Sequence, residues 1–175
     1  NVESIREAVG VKGIPVIATS STCTFALRDE YPEVLNVDNK GLRDHIELAT
    51  SWLWRKLDEG KTLPLKPLPL KVVYHTPCHM EKMGWTLYTL ELLRKIPGRE
   101  LTVLDSQCCG IAGTYGFKKE NYPTSQAIGA PLFRQIEESG ADLVVTDCET
   151  CKWQIEMSTS LRCEHPITLL AQALA

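Results

Sequence analysis

No stretch of this chain approaches the ~18 consecutive apolar residues that a membrane-spanning helix needs, and no secretory leader is visible. Basic charge is not in excess. The 19 Lys and Arg stand against 22 Asp and Glu, a net charge of −3 that excludes an obvious nucleic-acid footprint. A dinucleotide fingerprint is missing, because Gly110-x-x-Gly113 is too short a glycine pattern to make one. The even cysteine set of a secreted disulfide framework is missing as well. The seven cysteines, at 23, 78, 108, 109, 148, 151 and 163, are odd in number and fit a reducing cytoplasm. What is present is 175 residues, 43% hydrophobic and 23% charged, enough for one soluble globular domain, or one and a part. Asn1 opens in what reads as the middle of a helix, so the chain is expected to be a fragment of a longer protein.

Two of the cysteines are neighbours, in Asp105-Ser-Gln-Cys-Cys-Gly-Ile-Ala-Gly113. A disulfide between adjacent residues closes a strained ring far from ordinary disulfide geometry, so metal is the expected partner. The companions give the pattern C-x29-C-C-x38-C-x2-C, through Cys78, Cys108, Cys109, Cys148 and Cys151. Zinc wants four ligands, often as two short Cys-x-x-Cys pairs, and this chain has one such pair. Five thiolates exceed that need, whereas an iron–sulfur cluster presents several irons and adds one-electron chemistry. Cys163 has no companion and reads as a packing residue, and Cys23 is undecided. His79, beside Cys78, is a candidate ligand or donor to a cluster sulfur, although His75 and His79 read more simply as structural. Lys118, Lys119 and Lys152 either offset thiolate charge or are surface lysines, and Thr114–Phe117 is a candidate lining of the site.

Apolar periodicity places these cysteines. Strands are expected at 14–18, 71–75, 101–104 and 142–146. Helices are expected at 2–9, 25–31, 42–57, 83–96, 123–139, 149–159 and 166–174, with Leu42, Ile46, Ala49, Leu53 and Leu57 as the inward stripe of the third. Trp52 and Trp54 lie off that stripe, either for a partner or for packing on neighbouring segments. Residues 61–70, with Pro64, Pro67 and Pro69, read as a stiff linker. Strands alternating with helices indicate an α/β domain with a mainly parallel sheet and flanking helices. Each cysteine segment follows the C-terminal end of a strand, and in a parallel sheet those ends share one edge.

An internal echo accompanies this pattern. Val16-Ile-Ala-Thr-Ser-Ser-Thr-Cys23 lies over Val144-Val-Thr-Asp-Cys-Glu-Thr-Cys151 without a gap, so Ser20 falls on Cys148 and Cys23 on Cys151. His45-Ile-Glu-Leu-Ala49 also echoes His165–Ala171. Residues 1–60 then read as the tail of a first, degenerate copy and 71–175 as a complete second copy.

The cysteine pattern resembles that of the cysteine-rich CCG domain. That domain occurs, usually as a tandem pair, in heterodisulfide reductase and in iron–sulfur subunits of glycolate, lactate and glycerol-3-phosphate oxidation. The segments Thr76–Met83, Cys108–Phe117 and Cys148–Cys151 look most like the subunits that serve anaerobic glycerol-3-phosphate oxidation. The resemblance implies a Rossmann-like CCG domain at 71–175, preceded by the tail of a tandem copy. It implies that Cys78, Cys108, Cys109, Cys148 and Cys151 hold a [4Fe-4S] cluster, cubane or of the non-cubane type seen in heterodisulfide reductase. Zinc is the alternative, since some members carry it. Further implications are ferredoxin-type clusters on another part of the protein, a flavoprotein dehydrogenase partner and electron delivery to membrane quinone from the cytoplasmic face of the inner membrane. On this reading the chain is an electron-transfer component rather than the catalytic one. Disulfide reduction at the cluster and a zinc-stabilised assembly module are the competing functions.

Overall fold

The computed structural model describes residues 2–105 and 107–175. Asn1 and Ser106, the latter inside the Asp105–Gly113 stretch, lie outside the described residues. The first segment runs α1 (Val2–Arg6), β1 (Val16–Ala18), α2 (Ser21–Phe25), α3 (Tyr31–Glu33), β2 (Ile46–Leu48) and α4 (Ala49–Asp58). A π-helical turn, Ala26–Glu30, joins α2 to α3. The second runs β3 (Lys71–Tyr74), α5 (Cys78–Met83), α6 (Thr86–Arg94), β4 (Glu100–Val103), α7 (Tyr122–Glu138), β5 (Leu143–Val145), α8 (Glu149–Ser158), β6 (Cys163–Glu164) and α9 (Pro166–Gln172). The architecture is α/β, with every strand pairing parallel. Among the described residues no helix is long and apolar enough to cross a membrane.

The main sheet has the order β4-β3-β5-β6. The chain moves from β3 outward to β4, then returns past β3 to β5, so its direction across the sheet reverses between β3 and β5. Right-handed crossovers then put the helices of the two directions on opposite faces, and the cores follow that rule. Val72, Tyr74, Leu143 and Val145 pack with Leu92, Leu93, Leu169 and Leu170 of α6 and α9, and with Leu53, Trp54 and Leu57 of α4. The alternate residues Val73 and Val144 pack with Leu132, Ile136 and Ile155 of α7 and α8. Between β3 and β5 the crossovers part, and the crevice opens at the C-terminal ends of these strands, where sheets of this kind bind ligands.

Three expectations change. The helix expected at 42–57 is a 3₁₀ turn at Arg43–His45, then β2, then α4. Leu42 and Ile46 are buried as the stripe required, but Ile46–Leu48 lies in register with Val16–Ala18, and the strand pairing overrides the helical pattern. The helix expected at 83–96 begins at Cys78 and breaks at Gly84, whose φ of 70° places it in the left-handed region. Strand β6 was not expected, and its two residues are too few to show alternation. The Pro-rich stretch is extended, and it is laid on the core. Leu63, Leu65, Leu68 and Leu70 pack there, the Lys66 amide donates to Ala173 O at 2.8 Å and the Leu68 amide to Pro97 O at 2.9 Å.

With α3 as an insertion between α2 and β2, the β1–α2–β2–α4 order matches β5–α8–β6–α9, and both strand pairs are parallel. Register pairs Val16 with Ile46 and Val144 with Cys163. If Val16 is set on Val144, Leu48 therefore stands where His165 does, and the His45 echo is out of register. His165 accepts the Ile167 amide at Nδ1, capping α9, while its Nε2–H reaches Thr19 O at 2.8 Å.

A buried polar node fastens the first segment to the second. Asp147 accepts from Tyr74 Oη at 2.6 Å, from Thr50 Oγ1 at 3.1 Å and from Thr89 Oγ1 at 3.0 Å. All four side chains are closed to solvent. The carbonyl of Asp147 takes the Ser21 amide at 2.9 Å. Replacing Asp147 by Ala leaves Thr89 able to donate to Thr50 Oγ1 at 2.9 Å, but it leaves the buried hydroxyls of Tyr74 and Thr50 short of an acceptor, at about 1–3 kcal/mol for each group left unsatisfied. Urea unfolding of Asp147→Ala is expected to show a loss of several kcal/mol, with Tyr74→Phe in the same background recovering part of it. An unchanged midpoint would contradict the node.

Candidate metal centre

Strand β3 leads to Cys78, β4 to Cys108 and Cys109, and β5 to Cys148 and Cys151. The ladder continues past the strand ends toward these residues: His75 N–H donates to Val145 O at 3.0 Å, and Leu104 N–H to Tyr74 O at 3.0 Å. All five cysteines line one cavity of about 370 Å³, together with Thr22, His75, Pro77, His79, Ile111 and Thr150 among others. Cys109, Cys148 and Cys151 are buried, while Cys78 and Cys108 are exposed. The fold therefore brings together thiols that lie far apart in sequence.

The Cys-Cys turn reaches its place because two glycines let it lie directly on α7. Gly110 has φ 86°, and a Cβ there would stand 2.0 Å from Ser125 O. A Cβ on Gly129 would stand 2.6 Å from Cys109 O and 2.3 Å from Phe133 Cζ. Both positions exclude a side chain, one by backbone conformation as well as by space.

Cys109 Sγ and Cys151 Sγ are 3.2 Å apart. Two thiolates on one tetrahedral ion, each at ~2.3 Å, stand roughly 3.8 Å apart, so this pair is nearly set for a shared metal. One ring nitrogen of His75 joins them, with all three ligand atoms within 4.8 Å of one another. His75 is 2% exposed, and among the described residues its Nε2 has no hydrogen-bond partner. A buried polar atom without a partner is costly, and an ion or cluster in the cavity would supply one. The donor set therefore fits a soft metal centre: five sulfurs, one imidazole nitrogen and room between them.

The thiols are already electrostatically divided. Hydrogen bonds from Cys108 and then Cys151 hold Cys109 far below the usual thiol range. The same contacts push Cys108 and Cys151 up, and burial raises Cys78. Cys148 is brought down to about 5, first by Cys151 and then by the hydroxyls of Thr150 and Thr22, which outweigh its burial. Ligation by these sulfurs requires them as thiolates, so metal binding releases whatever protons they still hold.

The remaining candidates separate cleanly. His79 Nδ1 is 3.0 Å from Thr22 Oγ1, and its ring stacks on Phe25 at 4.8 Å, so it supports the wall of the cavity. His75, read above as structural, is the residue that sequence reasoning undervalued. The signal was available: in strand alternation it shares the face of Val73, the face on which Cys109 and Cys151 pack. Lys152 is engaged elsewhere, with Glu156 at 2.7 Å and the carbonyl of Cys163. Lys118 and Lys119 are exposed and stand outside the cavity lining. Thr114–Phe117 does not line the cavity either, since Phe117 turns to the ring of Trp153 at 6.0 Å. Cys163 is a core residue with no exposure, and Cys23 is exposed and outside the cavity. Trp54 packs on Tyr88 at 5.0 Å, as expected of a neighbouring contact.

Comparison with known proteins agrees with this geometry. The family model described as a CCG cysteine-rich domain matches residues 72–156. The chain is 98% identical, over all 175 residues, to one of the subunits of the anaerobic glycerol-3-phosphate dehydrogenase of Escherichia coli K12, and it spans 44% of that protein's length. It is 28% identical over 145 residues to an uncharacterized iron-sulfur protein of Methanocaldococcus jannaschii, covering 82% of the chain and 27% of the relative. It is 27% identical over 146 residues to one of the subunits of the fumarate reductase (CoM/CoB) of Methanothermobacter marburgensis, covering 82% of the chain and 28% of the relative.

Serine replacement of Cys109, Cys148 or Cys151 is expected to lower metal affinity by more than the roughly 10–100-fold that an outer partner is worth. Cys23→Ser and Cys163→Ser should leave metal per chain at the wild-type value. Elemental analysis after exhaustive dialysis reads the difference, and equal loss across all five variants would contradict the assignment. Gly129→Ala, which intrudes on the Cys109 carbonyl, should cost roughly 1–3 kcal/mol in thermal unfolding.

Proposed function

We propose, from the premise that residues 72–156 are a cysteine-rich CCG domain, that this chain is an electron-transfer module of an anaerobic glycerol-3-phosphate dehydrogenase. Cys78, Cys108, Cys109, Cys148 and Cys151 hold its iron–sulfur cluster. The observation that carries the reading is the convergence of five thiols, from three strand ends, on one cavity at the sheet's reversal point. Near-identity to part of a glycerol-3-phosphate dehydrogenase supports the complex, and the likeness to an iron-sulfur protein supports the cofactor.

The cluster is a [4Fe-4S] centre, and a fifth thiolate favours the non-cubane arrangement over a cubane, which needs four cysteines. When bound, it supplies reversible one-electron chemistry. The chain's own residues do the rest. Cys109, Cys148 and Cys151 grip from the buried side. One ring nitrogen of His75 lies beside Cys109 and Cys151, and the hydroxyl of Thr150, 3.2 Å from Cys148 Sγ, moderates the thiolate charge. Cys78 and Cys108 stand at the exposed mouth, the natural side for electrons to enter and leave. The donor is a flavoprotein dehydrogenase of the same complex and the acceptor is membrane quinone, reached from the cytoplasmic face. Residues 1–60 are the tail of a first CCG copy, 61–70 the connection and 71–175 the second copy, a division supported by the matching strand–helix orders.

A single zinc ion on His75, Cys109 and Cys151 is the second reading, favoured by the close grouping of those three ligand atoms. Anaerobically purified protein separates the two. The cluster reading predicts iron and acid-labile sulfide in equal amounts, visible absorption and a paramagnetic signal in one redox state. A colourless protein with one zinc per chain would overturn it.

A further inference from the structure

We propose that Thr22, a residue of the first segment, is a positioning residue of the five-cysteine centre, donating its hydroxyl hydrogen to Cys148 Sγ. The inference rests on the reading that these cysteines hold a redox-active centre. Thr22 Oγ1 lies 3.4 Å from Cys148 Sγ, and Thr150 Oγ1 lies 3.2 Å from the same sulfur. In the internal echo that sets Cys23 on Cys151, Thr22 falls on Thr150. Two residues at equivalent places in the two strand–turn–helix units thus converge on one thiol. The first unit has serine where the second has Cys148, yet its threonine serves the other unit's sulfur.

The direction of the hydrogen bond follows from what each group can do. A metal-bound thiolate only accepts, so the hydroxyl proton of Thr22 points to Cys148. The oxygen of Thr22 then accepts from His79 Nδ1–H at 3.0 Å, which fixes that ring's tautomer. His79 is held in turn by Phe25, stacked at 4.8 Å with an interplanar angle of 11°, and Lys82 lies over the Phe25 ring at 5.1 Å from its centroid. The hydroxyl is therefore oriented by a supported chain of contacts from α2 and α5 and is not a free rotor. Hydrogen bonds to cluster sulfurs withdraw charge and favour the reduced state, which raises the reduction potential.

The test compares Thr22→Val, close in shape and without the hydroxyl, with Thr22→Ser, which keeps it, in anaerobically purified protein. Thr22→Val is expected to bind iron and sulfide as the wild type does and to show a midpoint potential shifted to more negative values by redox titration. Thr22→Ser should return to the wild-type potential. Loss of the cluster from Thr22→Val alone, with Thr22→Ser fully loaded, also supports the role. A wild-type potential in Thr22→Val, or Thr22→Ser behaving like Thr22→Val, overturns it. Should the wild type carry zinc, the cluster reading fails separately. The hydroxyl is then read from zinc release to a chelator, several-fold faster in Thr22→Val and unchanged in Thr22→Ser; equal rates in all three overturn the proposal. A wild type without metal removes both.

Discussion

A parallel sheet delivers the residue after every strand to the same edge, and the rest of this structure depends on that constraint. Strands β3, β4 and β5 are short, and none of the segments after them holds enough donors for a metal alone. Pairing in the order β4-β3-β5 sets the three segments side by side. The reversal between β3 and β5 then opens the crevice where they meet. Proximity of the five sulfurs is thus a property of the topology, secured by the two buried cores on either face of the sheet.

The second requirement is close approach. Cys108 and Cys109 come from a loop, which must be pressed toward the strand ends to bring its sulfurs into the cavity. Gly110 and Gly129 allow the loop backbone to rest against α7 at distances that any side chain would forbid. Ala112 adopts φ 47° in the same loop, a strained value for a residue with a Cβ, and it too lines the cavity. Such strain is held only where the surroundings over-determine the backbone. The loop gives up conformational freedom in exchange for a preset donor geometry.

The third requirement is closure by the first segment. The Asp147 node ties α4 to the sheet through Thr50. The Ser21 amide, the Thr19 carbonyl and the Thr22 hydroxyl then meet Asp147, His165 and Cys148. The first segment thus supplies, through Thr22, part of the wall of the cavity that the five cysteines line.

Much of this was legible in the residues. Continuous apolar runs such as Val72-Val-Tyr74 and Leu143-Val-Val145 gave the buried strands, and the cysteines following them gave the common edge. Ile46–Leu48 was hidden because its buried residues also satisfy a helical stripe, and only pairing with Val16–Ala18 decides the matter. The reach of Thr22 to Cys148 was beyond the sequence, since it is made by packing between segments far apart in the chain. His75 lay between these cases, visible in strand alternation once its neighbours were known to be thiols. The central claim is that five thiolates share one inorganic centre. Anomalous diffraction at the iron edge, from crystals of anaerobic protein, tests it most directly. The account predicts a compact iron peak in the cavity, within bonding distance of Cys78, Cys108, Cys109, Cys148 and Cys151. A cavity without iron, or iron bound elsewhere, would contradict it.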